Sequence, residues 1–205
     1  MHNGKRRIGI VATITACTAS LIRSLKRGPR RMILFLTGPF GIGKTTTAEV
    51  LVERMPGALL YDPEIVGACL QAIVRPIDEV GDFQDLAVWR RLVVDVAHLL
   101  METYGRSLVV PMTVWRHDYF IAITDGLRRI DPALLCVRLT VSEDVLRQRI
   151  LTRPDGDGPH DWCLTHLDVG LRAARDPAFG VEVHTDQRTP SDVADAIMAL
   201  LPQVG

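Results

Sequence analysis

The 205-residue chain is poor in aromatic residues (5%), has four cysteines and carries no formal net charge. Cys17, Cys69, Cys136 and Cys163 are scattered, with no C-x-x-C pair and no Cys/His cluster. That argues against a zinc site or a disulfide framework and fits a reducing cytoplasm. No apolar run approaches the ~18 residues that a membrane-spanning helix needs. Lys+Arg and Asp+Glu both number 24, a balance that disfavours a globally basic nucleic-acid binder. The chain is nevertheless 47% hydrophobic and 23% charged, so it has the material for a real core and is not disordered. Its length suits one domain, or one domain and a tail.

Acidic residues are absent from positions 1–31, which hold eight cations: Lys5, Arg6, Arg7, Arg23, Lys26, Arg27, Arg30 and Arg31. The remainder, 32–205, therefore carries sixteen cations against 24 acids, a formal charge of −8. Three readings of the basic segment compete. Its basic start and apolar 8–14 stretch resemble a secretory signal, and residues 14–17 a lipoprotein cleavage box. It also suits peripheral contact with an anionic membrane surface. The plainest expectation is an upstream extension, with the functional domain starting at Met32 in the cytoplasm. The division expected is thus an extension over 1–31 and one domain over 32–205.

Beyond residue 31 there is no internal repeat and no long low-complexity linker. Short apolar runs alternate with segments of helical period, the pattern of a parallel α/β sheet. Strands are expected over 32–37, 58–61, 107–112, 134–141 and 181–184. Helices are expected over 44–55, 83–104, 118–130, 142–153, 161–175 and 190–201. The last has Thr189 as its cap, Pro190 at its first position and Asp192 in its first turn.

Gly38-Pro39-Phe40-Gly41-Ile42-Gly43-Lys44-Thr45 fits G-x-x-x-x-G-K-[ST], with a buried strand before it and an amphipathic helix after it. Gly38, Gly41, Ile42, Gly43, Lys44, Thr45 and Thr46 are the expected phosphate cradle. Glycines let successive N–H groups curl inward, and the helix N-terminus adds positive potential. Lys44 is placed to reach the β- and γ-phosphates, and the Thr45 hydroxyl to ligate Mg²⁺. Lysine is otherwise missing here: Lys44 is the one lysine in 32–205, where every other basic residue of the Lys/Arg type is arginine. A compact ammonium is used where that geometry calls for one.

Tyr61-Asp62-Pro63-Glu64 follows the second strand, at the end where open α/β sheets bind ligands. Asp62 is a candidate to take a proton from a substrate hydroxyl, or to hold Mg²⁺ through water. Its competing role is to start the turn or cap the next helix. Glu64 stands between the same alternatives. In 83–104, residues Phe83, Ala87, Arg90, Val94, Ala97, Met101 and Tyr104 form one expected apolar stripe. Arg91, Asp95, His98 and Glu102 form the polar face. Arg90 inside a stripe needs an anion or several acceptors, so it is a candidate substrate contact or a structural pair. Phe83 and Trp89 are candidates for a substrate wall or for core. Thr113, after Pro111 and Met112, is a candidate substrate contact or helix cap. Residues 152–162, dense in Gly, Pro and Asp, suggest a small helical lid. Arg153 is its leading candidate to neutralise charge on a transferred phosphoryl, with Arg149, Arg172 and Arg175 on the flanking helices.

These pieces together resemble the tunicamycin resistance proteins, small P-loop kinase-like proteins related in fold to shikimate kinase and chloramphenicol phosphotransferase. The matching runs are MILFLTGPFGIGKTTTA, YDPE at 61–64 with Gly67, DFQDLAVWR at 82–90, VPMTV at 110–114 and HTD at 184–186. The resemblance implies a P-loop NTPase fold with a five-stranded parallel sheet in shikimate-kinase-like order. It implies ATP and Mg²⁺ as cofactors, and adenine beside the loop 186–190. It implies recognition of tunicamycin, a uridine-containing nucleoside antibiotic with a fatty acyl chain. Phosphorylation of a drug hydroxyl is the expected reaction, with Lys44, Asp62 and Arg153 as catalytic residues. Phe83, Trp89, Arg90, Met112 and Thr113 would line the acceptor pocket. The alternatives are a protein that sequesters the drug with ATP bound, and a kinase of another small metabolite.

Overall fold

The computed structural model describes residues 31–152 and 160–202. Five strands form one parallel sheet: β1 (Ile33–Thr37), β2 (Leu59–Leu60), β3 (Leu108–Pro111), β4 (Leu135–Thr140) and β5 (Val181–His184), in the order β2-β3-β1-β4-β5. This is the five-stranded parallel α/β architecture expected. The central strand β1 pairs with β3 (Leu34↔Val109) and with β4 (Leu36↔Val137).

The apolar run of β1 follows from its place in the middle. Ile33 and Phe35 face one layer, and Leu34 and Leu36 the other; all four are fully buried. With a strand period of two and both faces covered, no polar alternation survives. On one face lie α1 (Lys44–Arg54), α5 (Glu143–Thr152), α6 (His160–Thr165), α7 (Leu167–Arg175) and α8 (Pro190–Met198). On the other lie α3 (Ala87–Tyr104) and α4 (His117–Ile130), with α2 (Pro63–Val74) near β2. Among the described residues no helix is long and apolar enough to cross a membrane. Residues 1–30 of the basic segment, and with them the expected membrane contact, lie outside the described residues. Arg31 is described, and its guanidinium donates to the Met101 carbonyl at 3.2 Å.

Pro111 sits in the ladder without loss. Leu108 and Met112 donate to Met32 and Leu36 across the β1 side. Pro111 alternates with them, so its missing N–H falls on the β2 side, beyond the last β2–β3 pair, Leu60↔Val109. At the other end of the chain, the cap on α8 forms as expected. Asp192 N–H donates to Thr189 Oγ1 at 3.2 Å, and Thr189 N–H donates back to Asp192 Oδ2 at 2.9 Å.

Three helical expectations are corrected. No span was expected for α2, although Asp62 was a candidate cap for a helix there. Asp62 caps it, accepting Glu64 N–H at 2.9 Å, and Pro63 is its first residue. It fully buries only Pro63 and Gly67, while Val66, Leu70 and Val74, four residues apart, pack half-buried against the core. The expected helix over 83–104 is a 3₁₀ turn (Phe83–Asp85) followed by α3. The buried row is Trp89, Val93, Ala97 and Met101: Ala97 and Met101 are buried as expected, whereas Trp89 and Val93 take the places expected of Arg90 and Val94. Ala87 and Tyr104 are exposed and Arg90 is half-buried. Finally, the helix over 161–175 breaks at His166 into α6 and α7.

Candidate active site

The strand order reverses direction at β1: the chain adds β3 and β2 on one side and β4 and β5 on the other. A crevice opens beyond the carboxyl end of a strand at such a switch point, and Gly38–Lys44 occupies it. Gly41 and Gly43 have φ of +76° and +99°, conformations that only glycine adopts without strain. Gly43 is also the N-terminal cap of α1, with no side chain capping it and no acid in the first turn. The first N–H groups of α1 are thus left for an anion.

Lys44 is buried, and in this structure its ammonium donates to the Gly38 and Pro39 carbonyls at 3.1 and 3.0 Å. Burial lowers its pKa, opposed first by Glu64 and then by Asp62. Those carboxylates come from the β2–α2 junction. They line one cleft of about 500 Å³ together with Phe40, Gly41, Gly43, Lys44, Thr45 and Thr46. Glu64 accepts the Thr113 N–H through Oε1 at 2.9 Å, which joins the β2 and β3 ends. Burial raises the Glu64 pKa, against the lowering effects of Lys44 and of the Thr113 N–H. Asp62 is half-buried and spends Oδ1 on its helix cap. Capping and facing the cleft, which the sequence posed as alternatives, are both true of Asp62.

Thr45 and Thr46 are exposed on the first turn of α1. The Thr45 hydroxyl and the two carboxylates can serve a hard cation, and among the described residues no cluster of three or more His, Cys, Asp or Glu forms a ready metal site. That donor set suits Mg²⁺, which retains waters and takes phosphate oxygens beside one or two carboxylates. On the opposite flank Arg149 bridges the P-loop and the end of β5. It donates to the Ile42 carbonyl at 3.2 Å, to Thr185 Oγ1 at 3.0 Å and to the Thr185 carbonyl at 2.8 Å. Arg153 lies outside the described residues.

The five expected acceptor residues are placed less uniformly. None of them lines the P-loop cleft itself. Thr113 is nearest to it, bound to Glu64 through its backbone and with its hydroxyl unpartnered. Phe83 is half-buried, meets Trp89 edge-on at 5.0 Å and fills the space left by the missing side chain of Gly67. Trp89 is fully buried and donates Nε1–H to the Pro63 carbonyl at 2.9 Å. Met112 is also fully buried. A side chain with no exposed surface offers none to a ligand, so Trp89 and Met112 shape the wall from behind in this conformation. Among the described residues Arg90 meets no carboxylate: it donates to the Gln84 carbonyl and lies over the Tyr119 ring, 4.0 Å from its centroid. In the first half of the helix the buried row runs through Trp89 and Val93, one position from Arg90 and Val94.

Residues 33–177 match a family model described as AAA domain (AAA_33). The chain belongs to that family. Among solved structures this AAA-domain chain is similar to the tunicamycin resistance protein of Deinococcus radiodurans. The TM-score is 0.66 at 25% identity, over 83% of this chain and 95% of that one. That similarity agrees with the family resemblance in the sequence motifs. A sugar kinase from Janibacter sp. HTCC2649 matches with a TM-score of 0.61 at 18% identity, over 83% of this chain and 94% of that one. A shikimate kinase from Acinetobacter baumannii matches with a TM-score of 0.52 at 19% identity, over 82% of this chain and 91% of that one. At those identities the two kinases establish the kinase-like P-loop fold. No curated protein matches the sequence significantly.

Sequence reasoning missed several residues at this site. Phe40, inside the P-loop, lines the cleft beside Lys44. Trp115, Trp162 and His166 gather around it. Phe40 was legible as a large residue in a loop that needs only small ones. The other three are brought in by tertiary structure.

Proposed function

We propose that this chain is an ATP- and Mg²⁺-dependent phosphotransferase acting on a hydroxyl of a tunicamycin-type nucleoside antibiotic. The observation that carries the reading is the cleft in which a P-loop lysine and the Asp62/Glu64 pair face one another. The similarity to a tunicamycin resistance protein supports the acceptor class.

In this mechanism the glycine-rich backbone and the α1 N-terminus hold the phosphates, and Lys44 leaves the Gly38 and Pro39 carbonyls for the β- and γ-oxygens. Thr45 and the carboxylates would hold Mg²⁺, which neutralises phosphate charge when bound. Asp62, with one oxygen committed to its helix, keeps the other for the acceptor hydroxyl. The hydroxyl oxygen forms a bond to the γ-phosphorus as the bond to the β,γ-bridging oxygen breaks. ADP leaves, and the hydroxyl proton passes to Asp62. Glu64, anchored by Thr113, balances Lys44 and fixes the distance between the two strand ends. Arg149 holds the P-loop from the nucleotide side, and Arg153 is proposed to close on the transferred group.

The test is mass spectrometry of tunicamycin after incubation with the full chain, ATP and Mg²⁺. A gain of one phosphate, absent when ATP is omitted, is expected. An unchanged drug that nevertheless binds would replace phosphotransfer with sequestration. A drug that neither binds nor changes would move the acceptor to another small metabolite.

A further inference from the structure

The run His184-Thr185-Asp186 takes no part in the mechanism above, yet all three of its side chains reach the end of β4. His184 Nδ1 lies 3.2 Å from Thr140 Oγ1. Thr185 Oγ1 donates to the Thr140 carbonyl at 3.1 Å. Asp186 Oδ1 accepts the Ser142 N–H at 3.0 Å. The main chain already joins the two strand ends here, because the Thr185 N–H donates to the same Thr140 carbonyl at 2.8 Å. The side-chain bonds are additional to the ladder.

Thr185 shows what they hold. It is 2% exposed, and its hydroxyl has a single proton. The Thr140 carbonyl can only accept, so the proton goes there and the oxygen lone pairs are left for another donor. Arg149, on α5, supplies it. Its Nη1 donates to Thr185 Oγ1 at 3.0 Å and its Nη2 to the Thr185 carbonyl at 2.8 Å. A guanidinium is a rigid planar fork, so two bonds to one residue fix its plane. The same Nη1 donates to the Ile42 carbonyl at 3.2 Å. Ile42 stands between Gly41 and Gly43, both at positive φ, where the backbone has the most freedom to turn. Its carbonyl shares a trans peptide with the Gly43 N–H, and the two point in opposite directions. Holding the carbonyl therefore sets the direction of that N–H, on a residue that lines the cleft. The Thr185 carbonyl also accepts the Arg188 N–H at 3.3 Å, which closes the turn that opens the loop after β5.

We propose that Thr185 is a positioning residue for the nucleotide. Through Arg149 it fixes the Ile42–Gly43 peptide in the orientation that receives phosphate, and through its carbonyl it ties that peptide to the loop 186–190. This rests on the nucleotide-binding part of the phosphotransferase reading. It adds a residue that offers a ligand almost no surface and acts through another side chain.

The experiment is calorimetric titration of the full chain with ATP and with inorganic tripolyphosphate, which has phosphates but no base, each with Mg²⁺. Thr185→Val keeps the shape and removes the hydroxyl. It should weaken both by roughly tenfold to a hundredfold. Thr185→Ser returns the hydroxyl and should return both affinities, which packing by the Thr185 methyl group would not explain. Arg149→Lys keeps the charge and loses the fork, so it should also weaken both, and adding Thr185→Val to it should cost nothing further. If Thr185→Val lacks the wild-type circular dichroism, Thr185→Ala carries the same expectations. Unchanged affinities in the hydroxyl-free variant overturn the proposal, as do losses for ATP alone or additive losses in the double variant. Binding of tripolyphosphate that depends on Thr185, without a phosphorylated drug, would leave the proposal and remove the phosphotransferase reading. Phosphorylated drug formed at unchanged ATP KM in Thr185→Val would do the reverse.

Discussion

The phosphate side of the cleft comes from one unbroken run, Gly38 to Thr45, and works through backbone N–H groups and a single ammonium. The other side of the cleft, where the proposed reading puts the acceptor, begins with the side chains of Asp62 and Glu64, the latter tied to Thr113 from a separate connection. Backbone donors at a helix terminus need only the right φ and ψ, so a short motif encodes them. Side chains from separate connections meet only after the sheet has set the strand ends in order. Local geometry thus serves the P-loop half of the cleft, and tertiary assembly the half to which the proposed reading gives the acceptor.

That contrast predicts where substitutions act. Lys44→Ala should bring ATP-dependent turnover to background while the melting temperature holds or rises, because a buried ammonium costs desolvation. Retained turnover in a kinetic assay would show that the motif does not hold the transferred phosphate. Asp62→Asn comes next, lowering kcat by about 10²–10⁴-fold. Asparagine still caps α2, so circular dichroism and ATP affinity should match wild type; unchanged kcat would transfer the base to Glu64.

A smaller effect concerns stability against pH. Burial holds the Glu64 carboxyl above its ordinary 4.5. The native state therefore keeps that proton to higher pH than the unfolded chain does. The corresponding stability is present below about pH 4.5 and is lost as pH rises through the native value. Glu64→Gln should thus gain on wild type in thermal melts between pH 4 and pH 7. Parallel melting curves would mean that Lys44 and Thr113 fully offset the burial. The least effect is expected away from both halves: Thr189→Ala removes the cap on α8. It should cost about 1 kcal/mol, roughly 2–4 °C in a domain this size, with kinetics unchanged. A loss of activity there would tie α8 to the nucleotide side.

Much of this was legible before any coordinates. The buried strand, glycine spacing and lone lysine specify the phosphate cradle, since each is a local requirement of backbone or charge. The caps at Asp62 and Thr189 are local in the same way, and the row Val66, Leu70 and Val74 of α2 was equally open to reading. Phase and company were decided elsewhere. The Asp82 side chain holds a 3₁₀ turn ahead of α3, and at the start of that helix Trp89 is in the core and Arg90 lies over Tyr119. No residue spacing places Trp162 and His166 against Phe40, because they stand more than a hundred positions away and meet only through the packing of α6 and α7. By itself the sequence determined the strands, their α/β alternation and the P-loop, which depend on neighbours in the chain. Only the tertiary structure decided which side chains face the acceptor, because that depends on the order in which the sheet brings its connections together.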